Sequence, residues 1–134
     1  MNHGDHREHG ELLHAELSEQ VIASAIEVHR ELGPGLLESA YEACLIHELH
    51  ARGLQVKRQV PVPIRYKGVE LEPGFRIDLL VEDRILVELK AVDALSPIHD
   101  AQVLTYLKLA GIRVGLLLNF NSTSLRRGMR RLVR

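Results

Sequence analysis

Residues 75–90 read FRIDLLVEDRILVELK and contain two apolar segments separated by a charged tripeptide at 82–84. Short apolar, β-prone segments that flank a polar turn are typical of a β-hairpin. If the hairpin is centred on Asp83, residues equally distant from it lie opposite each other, and one face is entirely apolar. A shift by one residue would put charges on that face, so the pattern predicts this register. The predicted apolar face comprises Ile77, Leu79, Val81, Ile85, Val87 and Leu89.

The opposite face of this hairpin would hold two carboxylates next to each other. Asp78 would lie across from Glu88, and Arg76 would lie across from Lys90. Like charges that face each other across two strands destabilise the pair. Either Arg76 and Lys90 neutralise the carboxylates in a structural ion network, or the carboxylates bind a divalent cation, which prefers oxygen ligands. The charge pattern alone leaves both interpretations open.

The rest of the chain predicts alternating helices and strands. Helical periodicity begins at Ser18, a candidate N-cap, and ends at Gly33, while Ser96-Pro97 is a typical helix start. Prolines at 61 and 63 favour an edge strand or irregular pairing. The predicted order is two helices (18–33 and 37–52), four strands (55–66, 69–71, 75–81 and 85–90), a helix (97–111), a strand (114–120) and a short C-terminal element.

Several motifs match one known family. The D-x(n)-E-x-K signature is reproduced by Asp78, nine further residues and then Glu88-Leu89-Lys90. The spacing GxxExxY is matched by residues 35–41, GLLESAY. From about residue 17 to 133 the chain resembles the GxxExxY family, which lies within the PD-(D/E)XK nuclease-like superfamily. Three later blocks resemble the same family: ELKAV (88–92), QVLTYL (102–107) and GLLLNF (115–120).

The resemblance implies a restriction-endonuclease-like α/β fold, with a central mixed β-sheet flanked by helices. It also implies a site for Mg²⁺ or Mn²⁺ whose metal ligands are Asp78, Glu88 and Glu38. These three carboxylates and Lys90 would be the catalytic residues. Such a metal polarises a phosphate and activates its bound water, while a lysine stabilises the developing negative charge. The residues that line the substrate site would be Gln102, Tyr106 and Tyr41.

Three of the candidate residues have structural alternatives. Glu38 lies in the first turn of its predicted helix, where an acid complements the helix dipole and could complete a cap together with Gly35. Tyr41 shares the helix face of Glu38, but an aromatic at this spacing is more often a core residue with a bonded hydroxyl. His99 is either a donor behind the site or a surface histidine.

The size of the chain, 134 residues, suits one domain with its own core. Residues 1–16 are histidine-rich and predict a mobile tail, and residues 17–134 predict a single domain. An unpaired Cys44, the absence of an apolar run of about 20 residues and the lack of a signal-peptide pattern predict a cytoplasmic protein without a membrane segment. Five arginines could bind phosphates or acids of a neighbouring subunit: Arg126, Arg127, Arg130, Arg131 and Arg134.

These observations lead to two hypotheses from different classes. The first is a metal-dependent nuclease or nuclease-like phosphodiesterase, which acts on DNA or RNA and uses the candidate residues above. The second is a non-catalytic module with a nuclease fold, which serves binding or homo-oligomeric assembly. A homo-oligomer is expected in both cases, because a domain of this size offers little surface to hold a duplex alone.

Overall fold

A computed structural model describes residues 13–134, and the predicted tail therefore falls largely outside the described residues. No helix within residues 13–134 combines the length and the apolar character needed to span a bilayer. The elements are α1 (Ala15–Leu32), α2 (Glu38–Ala51), β1 (Val56–Tyr66), β2 (Val69–Val81), β3 (Ile85–Lys90), α3 (Pro97–Ala110), β4 (Val114–Asn119), a 3₁₀ helix (Leu125–Gly128) and β5 (Met129–Val133).

The five strands form one mixed sheet in the order β1-β2-β3-β4-β5. Strands β3 and β4 are parallel, and the other neighbouring pairs are antiparallel. Helix α3 is the crossover that a parallel pair requires. Helices α1 and α2 contribute to one core cluster, and α3 contributes to a second one. This confirms the predicted mixed sheet flanked by helices.

The helices begin and end close to the predicted positions, with one exception. Helix α3 starts with Ser96 as N-cap, and the His99 side chain completes a capping box by accepting the Ser96 N–H at Nδ1, 3.0 Å away. Helix α1 begins at Ala15, three residues before the predicted start. Ser18 is buried inside this helix and its Oγ accepts a hydrogen bond from Arg131, so its prediction as an N-cap is wrong.

Strand β2 is continuous, and the prediction of two separate strands at 69–71 and 75–81 is wrong. Three strands rather than four therefore precede α3. A Cβ atom on Gly74 would lie 2.0 Å from the Val62 carbonyl oxygen, and the β1–β2 register shifts between Val62 and Ile64. Pro73-Gly74 thus marks an irregularity that lets two backbones approach, not a turn.

The β2–β3 hairpin has the predicted register over Leu79–Val87, Leu80–Leu86 and Val81–Ile85. Ile77, however, packs in the cluster of α3, whereas Leu79 and Val81 pack in the cluster of α1 and α2. Placing Ile77 on the same face as Leu79 is therefore wrong. The side of the sheet changes between Ile77 and Leu79, where the neighbouring strand carries Gln59 with a left-handed φ of 50°.

Candidate active site

The carboxylate of Asp78 occupies the point where the β2–β3 ladder ends. The last ladder pair is Leu79–Val87, and beyond it Asp78 Oδ2 accepts the main-chain N–H of Leu89 at 2.9 Å. Asp78 Oδ1 receives a longer hydrogen bond, 3.4 Å, from Gln59 Nε2. Burial raises the pKa of Asp78, and these two hydrogen bonds lower it in part. The hairpin thus fixes this carboxylate against the adjacent strand.

Glu88 is the most strongly perturbed acid of the hairpin. Its side chain is only 8% exposed, and its Oε1 atom is buried without a hydrogen-bond partner in the protein. Burial, and after it the charge of Asp78, raises the pKa of Glu88 to about 8. Lys90 Nζ lies 4.0 Å from Glu88 Oε2, at the outer limit of an ion pair, and offsets the burial only partly. The hairpin therefore contains a buried carboxylate that its own neighbours do not fully satisfy.

Lys90 is held at the end of β3 by contacts from β4. It pairs with Asn119 in the parallel ladder, and its side chain is 20% exposed. The buried Asn119 amide donates to the Val92 carbonyl at 2.9 Å and accepts the Val92 N–H at 3.0 Å. This pair of bonds, which we call the Asn119 clip, fixes the chain just after Lys90.

A cavity of about 380 Å³ opens beside Asp78. Glu38, the first residue of α2, lies exposed at its rim, and its charge contributes to the raised pKa of Glu88. The N-cap of α2 is Leu37, and it makes no side-chain cap bond, so the structure does not show a cap between Glu38 and Gly35. The residues that line the cavity are Glu38, Ser39, Glu42, Arg58, Gln59, Asp78 and Leu89.

Helix α3 brings Tyr106 and Gln102 to the same region. Burial raises the pKa of Tyr106, and the charges of Glu88 and Asp78 raise it further. Gln102 lowers that pKa through a side-chain hydrogen bond. The Tyr106 ring stacks on Phe75 with centroids 3.9 Å apart. Tyr106 therefore lies within the electrostatic reach of both carboxylates, and Gln102 bonds to it, although neither residue is among those that line the cavity.

Tyr41 lies in the core and not among the residues that line the cavity. Its ring is fully buried and stacks on Phe120 with centroids 4.6 Å apart. Its hydroxyl donates to the Gly33 carbonyl at 2.6 Å and accepts the Leu36 N–H at 3.0 Å. Tyr41 therefore anchors the loop between α1 and α2. It is a core residue with a bonded hydroxyl, as the alternative to a site-lining role had it.

Comparison with protein families identifies the fold. The family model described as PD-(D/E)XK nuclease superfamily matches residues 15–132. The chain belongs to this superfamily. No curated protein and no solved structure matches it. In this PD-(D/E)XK chain the hairpin brings together Asp78, Glu88 and Lys90, the residues predicted from the sequence to form the signature.

The residues of this PD-(D/E)XK site fit a divalent cation with two protein carboxylates. Within residues 13–134 no three His, Cys, Asp or Glu side chains form a group that could hold a metal ion. A role of Glu38 as a third ligand beside Asp78 and Glu88 stays a prediction. Mg²⁺ commonly uses one or two carboxylates and completes its shell with waters and substrate phosphate. The unpartnered Glu88 Oε1 and the raised pKa values of both acids fit a site built for positive charge.

Three further polar residues at the site were missed in the sequence. The carboxylate of Glu42 is buried, and its Oε1 accepts hydrogen bonds from Arg58 Nη2 at 3.0 Å and Nε at 3.3 Å. Its Oε2 accepts a hydrogen bond from Gln59 Nε2 at 2.7 Å. Glu42 comes four residues after Glu38, so both lie on one face of α2. This spacing could have identified Glu42 from the sequence.

Some of the C-terminal arginines bind groups of their own chain. Arg130 Nη1 lies 2.6 Å from Asp100 Oδ2. Arg131 donates to Ser18 Oγ at 3.3 Å and also to the Leu13 carbonyl. These contacts attach the edge strand β5 to α3 and to the start of α1. Contacts with phosphate or with a neighbouring subunit stay predictions for the rest of the cluster.

Proposed function

We propose that this chain is a metal-dependent nuclease that hydrolyses phosphodiester bonds of nucleic acid. The observation that carries the proposal is the buried, unpartnered Glu88 Oε1 beside Asp78 and Lys90 in a chain of a nuclease superfamily. A purely structural ion network would pair this oxygen, because an unsatisfied buried carboxylate destabilises the fold. We also propose membership of the GxxExxY family, supported by Gly35, Glu38 and Tyr41.

Each residue of the site would have a role of its own. Asp78 and Glu88 would hold Mg²⁺ or Mn²⁺, which supplies polarisation of the phosphate and a more acidic bound water. The Leu89 N–H keeps the Asp78 carboxylate in place. Lys90 can donate to a phosphate oxygen as negative charge develops there. Glu38, at the rim of the cavity, is suited to accept a hydrogen bond from a water that enters.

A non-catalytic module of the same fold is the competing function. It would need no cation at Glu88 and would keep its partner when this acid is neutralised. The choice between DNA and RNA, the homo-oligomeric state and the cytoplasmic location stay predictions. The nuclease is favoured because a decayed site would have no reason to retain two destabilising acids next to Lys90.

A cleavage assay with matched variants tests the nuclease. Labelled single- and double-stranded DNA and RNA are incubated with the protein in Mg²⁺ or Mn²⁺, together with the variants Glu88→Gln and Lys90→Ala. We expect the loss of Lys90 to lower turnover roughly 10²- to 10³-fold, as for removal of one donor to developing charge. Lys67→Ala, an exposed lysine at the β1–β2 turn, should leave turnover unchanged. Equal cleavage by all variants would point to a contaminant and contradict the proposal.

A further inference from the structure

Arg58 is a partly anchored cation at the rim of the candidate site. Its side chain is 63% exposed, and it lines the same cavity as Asp78. Two of its donors, Nε and Nη2, bind the buried carboxylate of Glu42. A guanidinium has five N–H donors in a rigid fork, so others stay available for an incoming acceptor.

The charges around the cavity explain why such a cation is needed. Glu38, Glu42 and Asp78 line the cavity, and a phosphodiester is itself an anion. Lys90 is mostly buried beside Glu88 and is not among the lining residues. Among the residues that line this cavity in the described chain, Arg58 is the one cation. A nucleic-acid backbone that enters the cavity therefore meets positive charge first at Arg58.

Glu42 and Gln59 fix the position of Arg58 relative to Asp78. Gln59 Nε2 donates to Glu42 Oε2 at 2.7 Å and also reaches Asp78 Oδ1 at 3.4 Å. Gln59 has a left-handed φ of 50°, which is uncommon for a residue other than glycine. Arg58, Glu42, Gln59 and Asp78 thus form one connected chain of side chains that leads from the cavity rim to the carboxylate.

We propose that Arg58 binds a backbone phosphate of the nucleic acid, adjacent to the phosphate that is attacked, with Glu42 and Gln59 as positioning residues. Arginine suits this role because its planar fork matches two oxygens of one phosphate. The position relative to the attacked phosphate rests on the proposed nuclease function. The binding of phosphate by Arg58 does not, and can be measured separately.

The competing explanation is that Arg58 only neutralises Glu42. In that case the loss of Arg58 changes the stability of the protein and leaves nucleic-acid affinity unaltered. The double variant Arg58→Ala/Glu42→Gln guards against poor folding, because it removes the buried charge together with its partner. Arg65→Ala is the matched control, since Arg65 is an exposed arginine of the same strand that pairs with Glu70 at 3.4 Å.

Binding is measured by fluorescence anisotropy of labelled single- and double-stranded DNA and RNA in Ca²⁺, over a series of salt concentrations, with the probe checked for cleavage on a denaturing gel. We expect Arg58→Ala to raise Kd severalfold and to reduce the slope of log Kd against log salt by about 0.7–0.9, the effect of one lost phosphate contact. Arg58→Lys should keep most of the slope, because the charge remains, while Kd rises. Arg65→Ala should bind as the unaltered protein does.

The double variant tests the positioning role of Glu42. If Glu42 acts through Arg58, Glu42→Gln changes Kd on its own but changes it no further in the Arg58→Ala background. The proposal is overturned if Arg58→Ala binds as Arg65→Ala does, or if the unaltered protein binds none of the four probes. Binding that depends on Arg58 without any cleavage in Mg²⁺ would support phosphate binding by Arg58, but it would refute the nuclease and with it the position next to an attacked phosphate.

Discussion

Strand β2 belongs to two hairpins of very different character. One is the inner hairpin, residues 79–87, where the side chains of β2 pack into the core clusters on the two faces of the sheet. At residues 64–71, the distal hairpin, every residue is exposed, and Tyr66 and Val69 are more than half exposed. Both hairpins are rich in β-prone apolar residues. The difference shows that strand propensity forms both pairings, whereas burial depends on the neighbours that β3, β4 and the helices supply.

Truncation of one leucine in each hairpin should give the largest difference. Leu79→Ala removes a fully buried side chain, and we expect the free energy of unfolding to fall by roughly 2–5 kcal/mol. Leu71→Ala removes a side chain that is nearly half exposed, and the change should stay within about 0.5 kcal/mol. Urea unfolding followed by circular dichroism measures both values. Similar losses would show that the distal hairpin is buried in the protein as it exists in solution.

Stabilisation by metal should depend on a carboxylate at the end of the inner hairpin and not on one near the distal hairpin. At a Mg²⁺ concentration 100 times Kd, we expect unfolding to cost about 2.7 kcal/mol more than without the metal. Asp78→Asn should abolish this gain, because it removes a charged ligand, whereas Glu72→Gln, an exposed acid of β2, should retain it. Thermal unfolding with and without Mg²⁺ reports the difference. A gain that survives in Asp78→Asn would place the metal elsewhere.

The smallest effect, counted per pH unit, should come from the pH dependence of stability. Because the pKa of Glu88 is raised from 4.5 to about 8 on folding, the folded protein keeps a proton that the unfolded chain has lost within this window. The contribution of Glu88 to stability therefore falls as pH rises from about 4.5 to 8. Glu88→Gln should remove this fall, which is at most about 1.4 kcal/mol per pH unit.

The distal hairpin provides the control for this pH dependence. Glu70 lies on the surface and pairs with Arg65. Glu70→Gln should keep the same pH profile as the unaltered protein. Denaturant unfolding between pH 5 and 8, without divalent metal, compares the three proteins. If the profile of Glu88→Gln is as steep as the other two, another group titrates in this range.

The register of the inner hairpin could be predicted from the sequence because only this register puts Leu79 and Val81 opposite Val87 and Ile85 with no charge among them. The side of the sheet taken by Ile77 could not be predicted, since the regular alternation of β2 breaks between Ile77 and Leu79 and no residue of the hairpin signals that break. The continuity of β2 through Gly74 was missed for a similar reason. Proline followed by glycine is typical of a turn, and only the close approach of Val62 gives the pair its actual role.

The residues around the cavity were predicted only where a motif names them. Glu42 and Arg58 lie in different elements, and their hydrogen bonds depend on how α2 crosses β1. Charge alone does not distinguish such a pair from acids and arginines on the surface, so the pairing is a result of tertiary structure. Tyr41 shows the reverse case, because the motif that includes it matches while its buried hydroxyl donates a hydrogen bond to the Gly33 carbonyl.

The Asn119 clip ties the assembly of the site to the order in which the chain is synthesised. A nascent chain that has emerged to Val92 already carries Asp78, Glu88 and Lys90. Its β3 lacks the parallel neighbour β4, which arrives only after α3 has been made. Since parallel pairing across such a separation forms late, we expect a ribosome-bound fragment to contain these three residues before the candidate site is assembled.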